Sequence, residues 1–256
     1  MFIGIDHLVV AVADPDEAAT ELAATLGLEP GDGGRHDRLG TYNRLLWLGD
    51  TYLELIGVFD ASLAATSWVG APALRAIEAG GGLATWAISS DDIEADVAML
   101  RTRGSLLSEP VTGERVRPDG RVVRWRLAAG ERLDPDRPPF LIEHDPSAAE
   151  WTPDERGLRA DGAGVLDVLE LAVDDVDRTS QAFLRTVGLR FRPSLAGGGA
   201  RDADIGAQRV RLRPARGATV TAPATIHLRT RAAVTGPVEA LGCRWQLRPF
   251  DVTVRP

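Results

Sequence analysis

The chain has 256 residues, a net charge of −8, 44% hydrophobic residues and a single cysteine. That length holds one or two domains and can bury a core without disulfides, while a lone Cys243 builds neither a disulfide framework nor a thiolate zinc site. The acidic balance argues against nucleic acid as a partner. Apolar runs too short for a bilayer argue against a membrane, and an N-terminus without a basic leader makes a cytoplasmic protein the expectation.

Residues 3 to 12 (IGIDHLVVAV) are rich in Ile and Val and read as a strand. Asp14-Pro15-Asp16 supplies a cap, a proline near the first helical position and acidic charge for the first turn. Ala18, Leu22, Ala23 and Leu26 then recur at helical spacing up to the stop at Gly27. A Gly-rich loop, 31 to 34, precedes two strands, 44 to 48 and 52 to 58, joined at Gly49-Asp50. This is one β-α-β-β-β unit. A connector, 60 to 81, has a short helix over Pro72 to Ala79.

The unit starts again at GLATWAISS (82 to 90). A helix opens at Asp91-Asp92 and ends at Gly104, followed by strands at 122 to 127 and 139 to 144. It starts a third time after a polar, Pro- and Gly-rich stretch. VAVADPDEAATELAATLGLEP and LAVDDVDRTSQAFLRTVGLRF coincide when positions are shifted by 161. Strands over 209 to 214 and 225 to 230, a short VEALG helix and a last strand complete a fourth, shortened unit. The tail from 250 to 256 alternates like an edge strand. The expected class is α+β, with βαβββ modules forming cup-shaped half-barrels and helices outside. The expected division is a two-module domain over 1–148, a linker over 149–163 and a reduced second domain over 164–256.

The segments IDHLVVAVADPDEAA, GGRHDRLGTYNRLLWLGDTYLELIGV, PDGRVVRWRLAAGE and PPFLIEHD resemble the vicinal oxygen chelate superfamily, and within it the glyoxalase-like domain proteins. The resemblance implies a concave, ligand-holding face and a site for a divalent metal (Zn, Ni, Mn, Fe or Co), with no organic cofactor. Carried over residue by residue, it implies His7, Glu54 and Glu143 as metal ligands. The fourth ligand position falls on Ala84 or Thr85, neither of which can ligate. Strand alternation puts Ile5, His7, Val9 and Ala11 on one face, and a His and a Glu on inward apolar faces need a partner or a metal. The alternative is that His7 and Glu54 bond to each other or to an arginine with no metal. His144 points away from Glu143, so both cannot serve one ion. His227 reads as a structural histidine.

Arg35, His36, Tyr42 and Asn43 form a polar cluster suited to an oxygen-rich or anionic ligand. His36 is a candidate base or a further ligand. Trp86 and Arg124 are the remaining candidates for ligand contact, Arg124 facing either the cup or solvent. The expected function is a metal-dependent lyase or isomerase acting on a small oxygen-rich substrate, with His36, Glu54 and Glu143 as the acid–base residues. The alternative is a small-molecule binding or sequestering protein without turnover. A ring-cleaving dioxygenase is disfavoured, because Val168 stands where His7 would repeat. Monomer or homodimer are both open.

Overall fold

A computed structural model describes residues 2–117, 119–149, 164–215, 223–230 and 236–250. The expected linker from 150 and the tail from 251 lie outside these residues.

The first half is built from β1 (Phe2–Ala11), α1 (Pro15–Leu26), β2 (Gly31–His36), β3 (Thr41–Leu48) and β4 (Thr51–Val58). A helical connector, α2 (Ala61–Thr66) and α3 (Gly70–Glu78), leads to β5 (Gly82–Ser90), α4 (Ile93–Thr102), β6 (Val111–Val116), β7 (Val122–Ala128) and β8 (Phe140–His144). Among the described residues the second half has β9 (Gly164–Val173), α5 (Val176–Val187), β10 (Arg192–Pro193), β11 (Arg201–Ile205) and β12 (Gln208–Pro214). It continues with β13 (Ala224–Thr230), β14 (Gly236–Ala240) and β15 (Cys243–Pro249). The α+β architecture of repeated modules is therefore present, and no described helix is long and apolar enough to cross a membrane.

Local chemistry explains the repeat. Asp14 caps α1 by accepting from the backbone N–H groups of Asp16 and Glu17, and Gly27 ends the helix with φ 66°. Asp175 and Gly188 do the same for α5, Gly188 with φ 68°. A side-chain carboxylate satisfies the orphan donors of the first turn, and only glycine enters the left-handed region without strain. The Gly-rich loop expected at 31 to 34 is instead strand β2. Its glycines are steric, since a Cβ on Gly33 would lie 1.8 Å from the Asn43 carbonyl oxygen. The VEALG segment expected as a helix forms most of β14, paired antiparallel with β15.

The two half-barrels of the first pair of modules meet and close in the order β1-β4-β3-β2-β6-β7-β8-β5. One seam, β2 to β6, is held by a single pair, Arg35 opposite Val116. The second sheet, β10-β11-β12-β9-β13-β15-β14, repeats this order and stays open among the described residues, because no strand takes the place of β6. A continuous apolar core joins the outer wall of the barrel to α1, α4, α5 and one face of the second sheet. Trp86 and Phe183 stack in it with centroids 6.1 Å apart and ring planes 26° apart.

A bulge in β1 positions the site. Ile5 pairs with Ile88 and His7 with Ala87, so Asp6 is an extra residue against β5. Bulges interrupt the ladder and re-aim side chains. Gln208 braces the spot from the second sheet: its Oε1 accepts from the Ile5 N–H at 3.2 Å, and its Nε2 donates to Thr51 Oγ1 at 2.8 Å.

Candidate functional site

Inward-facing positions of the barrel strands converge on a cup of about 50 Å³. His7, Asn43, Tyr52, Glu54, Val123, Trp125, Ile142 and His144 line it from the strands, while Trp68 and Val69 cover it from the start of the α3 region. His36 and Arg115 enter from either side of the β2–β6 seam. Tyr52 stacks on the His7 ring at 4.6 Å, and Phe140 meets its edge at 5.4 Å.

The polar groups form a chain. His7 Nδ1–H donates to Asp6 Oδ1 at 2.7 Å, and its Nε2 lies 3.8 Å from Glu54 Oε2. Asn43 Nδ2 donates to Glu54 Oε1 at 2.6 Å, while Asn43 Oδ1 accepts from the Gly34 N–H at 2.7 Å. His144 Nε2–H donates to the same Asp6 oxygen at 3.1 Å. Burial alone would raise the Asp6 carboxyl, but the charges and hydrogen bonds of His144 and His7 outweigh it and hold the group well below the usual carboxylate range. Burial pushes the His36 imidazole below its ordinary value, with Arg115 adding to the effect against the pull of Glu54. His36 Nδ1 lies 3.0 Å from Thr41 Oγ1.

Of the residues singled out from sequence, His7, His36, Asn43 and Glu54 come together in the cup. Four others do not reach it, and Glu143 is turned away from it. Glu143 faces outward, where both oxygens accept from Arg126 at 2.9 Å and one also accepts from the Ile93 N–H at 2.8 Å. Ile142 and His144 are the inward members of that strand, so the ligand that the family resemblance implies at Glu143 falls on the opposite face. Trp86 is fully buried in the core between the barrel and α5. Tyr42 lies outside the barrel over Gly57. Arg35 stacks on Phe59 at 3.7 Å and pairs with Asp37. Arg124 faces outward and pairs with Glu114 at 3.4 Å.

Sequence reasoning missed Asp6 and Arg115, and set His144 aside in favour of Glu143. Strict alternation puts Asp6 opposite His7, and only the bulge brings both to one wall. Arg115 belongs to β6, whose Gly113-Glu114 breaks the apolar alternation.

The donor set for a metal is incomplete. His7 Nε2 and Glu54 Oε2 are two donors within reach of one ion, and a catalytic divalent site needs a third protein ligand. Glu143 is on the other face, and His144 Nε2 is spent on Asp6. Among the described residues, no group of three His, Cys, Asp or Glu side chains is placed to hold an ion. The residues present do not fit the metal that the family resemblance implies.

An eight-stranded β1-to-β8 barrel of paired βαβββ modules with a lined interior is the vicinal oxygen chelate fold. A family model described as glyoxalase-like domain matches residues 5–193, and the chain belongs to that family. No curated protein matches it. A hypothetical protein from Staphylococcus aureus has a similar structure, with TM-score 0.77 and 16% identity over 96% of this chain and 99% of that one. Methylmalonyl-CoA epimerase of Streptomyces coelicolor, in complex with 2-nitronate-propionyl-CoA, is 21% identical over 56% of this chain and 95% of that one, with TM-score 0.42. The Mycobacterium tuberculosis epimerase is 22% identical over 56% of this chain and 89% of that one, with TM-score 0.40.

Proposed function

We propose that the cup is a reaction site for proton transfer on a small, oxygen-rich, anionic molecule, a reaction of the lyase or isomerase type with His7 as its base. One observation carries this reading: Asp6 grips His7 Nδ1 at 2.7 Å while Nε2 looks across 3.8 Å to Glu54. A carboxylate on Nδ1 fixes which nitrogen carries the proton, so Nε2 is the nitrogen that faces the cup and takes up or gives back a proton. Glu54 Oε2 is a second acceptor, and Asn43 holds its other oxygen. Two facing acceptors are reconciled by a ligand hydroxyl, a water or an abstracted proton between them.

The reaction follows from these groups. The proton beside the substrate carbonyl passes to His7 Nε2, and its electron pair moves onto the carbonyl oxygen. The Arg115 guanidinium, on the cup wall, stabilises that oxyanion, with His36 beside it held below its ordinary pKa by burial. Return of the proton to a different carbon or face gives isomerisation, and departure of a β-substituent gives a lyase. A divalent metal has no step in this scheme, because the third donor is missing from the set.

A second reading, binding without turnover, is supported by the apolar share of the wall: Leu39, Leu45, Trp68, Val69, Val123 and Ile142. One experiment separates the two. Pyruvate and 2-oxobutyrate are incubated with the protein in D2O and followed by proton NMR. Protein-dependent loss of the signal beside the carbonyl, abolished in His7→Gln and unchanged by EDTA dialysis, is the expected result. A rise in melting temperature without exchange favours binding alone. Stoichiometric metal that leaves with His7→Ala would restore a metal-dependent reaction.

A further inference from the structure

The wall of the cup is one side chain thick at His144, and a second cavity lies behind it. This outer cleft, about 600 Å³, is bounded by the start of β1, the end of β8 and the β11–β12 turn; Asp6, Ser90, His144 and Gln208 line it. His144 thus borders both the cup and the cleft.

We propose that His144 is a positioning residue, which holds Asp6 from the cleft side so that Asp6 can hold the His7 tautomer on the cup side. The proposal rests on the reading of His7 as the base. Its ground is geometric: two imidazoles 138 and 1 residues away in sequence donate to one oxygen, Asp6 Oδ1, at 3.1 and 2.7 Å. A carboxylate with only 4% of its surface exposed has little water to anchor it, and it sits on a bulge, outside the regular ladder. With one donor removed, its orientation is set by His7 alone, and the two groups are able to turn together. The second donor breaks that freedom. A satisfied network of this kind rigidifies the groups it contains, and a partly satisfied one does not.

Two variants separate positioning from bulk. His144→Gln keeps an N–H donor near the Nε2 position; His144→Phe keeps the ring volume and loses the donor. Nitrogen NMR of 15N-histidine-labelled protein reports the His7 tautomer directly. The expected result is a single Nδ1–H tautomer for His7 in the parent and in His144→Gln, and a mixture of tautomers in His144→Phe. Deuterium exchange of pyruvate falls at least about tenfold in kcat for His144→Phe with KM unchanged. If His144→Phe does not fold, His144→Gly replaces it, and imidazole entering from the cleft restores the single tautomer. An unchanged His7 spectrum in the variant lacking the donor overturns the proposal, as does a His144→Gln variant that behaves like His144→Phe. If the parent exchanges neither oxo acid, the base reading fails, and the tautomer measurement still decides the positioning role.

Discussion

Replacing Asp6 by Asn keeps the shape of the side chain and removes its charge. Two ring N–H groups donate to Asp6, at 2.7 and 3.1 Å, with the residue 4% exposed. A neutral hydrogen bond contributes about 1 kcal/mol and a charge-assisted one about twice that, so the variant loses about 2 kcal/mol at pH 7. For a chain of this size that lowers the melting temperature by about 4–8 °C. The pH dependence is the sharper test. Because the folded carboxyl is held well below its unfolded value, its contribution is present above the unfolded pKa, near 3.9, and is lost as pH falls through the folded one. Urea melts of parent and variant are compared at pH 5 and pH 3. Between them the parent's advantage shrinks by about 1.3 kcal/mol, the cost of protonating a group about one unit below its unfolded pKa. An advantage that is unchanged or larger at pH 3 refutes the ionised, doubly held Asp6.

Three further outcomes are expected. Trp86→Ala removes a fully buried ring stacked on Phe183; it costs about 3–5 kcal/mol in a chemical denaturation curve and leaves pyruvate exchange per folded molecule unchanged. Glu143→Gln weakens the outward pair with Arg126 and the cap on Ile93; it lowers stability by about 1 kcal/mol without altering exchange, and abolished exchange would return Glu143 to the reaction. A cysteine pair at Arg35 and Val116, the single pair of the β2–β6 seam, forms a disulfide that slows exchange and is reversed by dithiothreitol. Cys243 is buried and does not compete. Equal rates for the oxidised and reduced forms would show that the seam does not open for the substrate.

The module plan was legible because it is written in local chemistry. Asp14 and Gly27 announce a helix start and stop, and Asp175 and Gly188 repeat them at the same spacing. His7 and Glu54 were legible through the family resemblance, with strand alternation making the pair plausible, and Asn43 through the polar cluster beside the Gly-rich segment. The failures occur where parity is broken or ambiguous. Asp6 sits on a bulge that no alternation rule anticipates. Phe140, Leu141 and Ile142 are all apolar and buried, so hydropathy gives no preference between Glu143 and His144 as the inward member. Trp86 faces a second layer of structure, and an outer strand face covered by a helix reads the same as an inner face covered by a ligand.

The small volume of the cup bears on kinetics. A space of about 50 Å³ admits a few water molecules, so substrate and product cannot occupy it together. Turnover would then be strictly sequential, with product departure before the next entry, and product inhibition would be competitive against substrate. Where departure of product limits turnover, solvent viscosity, rather than isotopic substitution at the transferred proton, would slow a fast substrate.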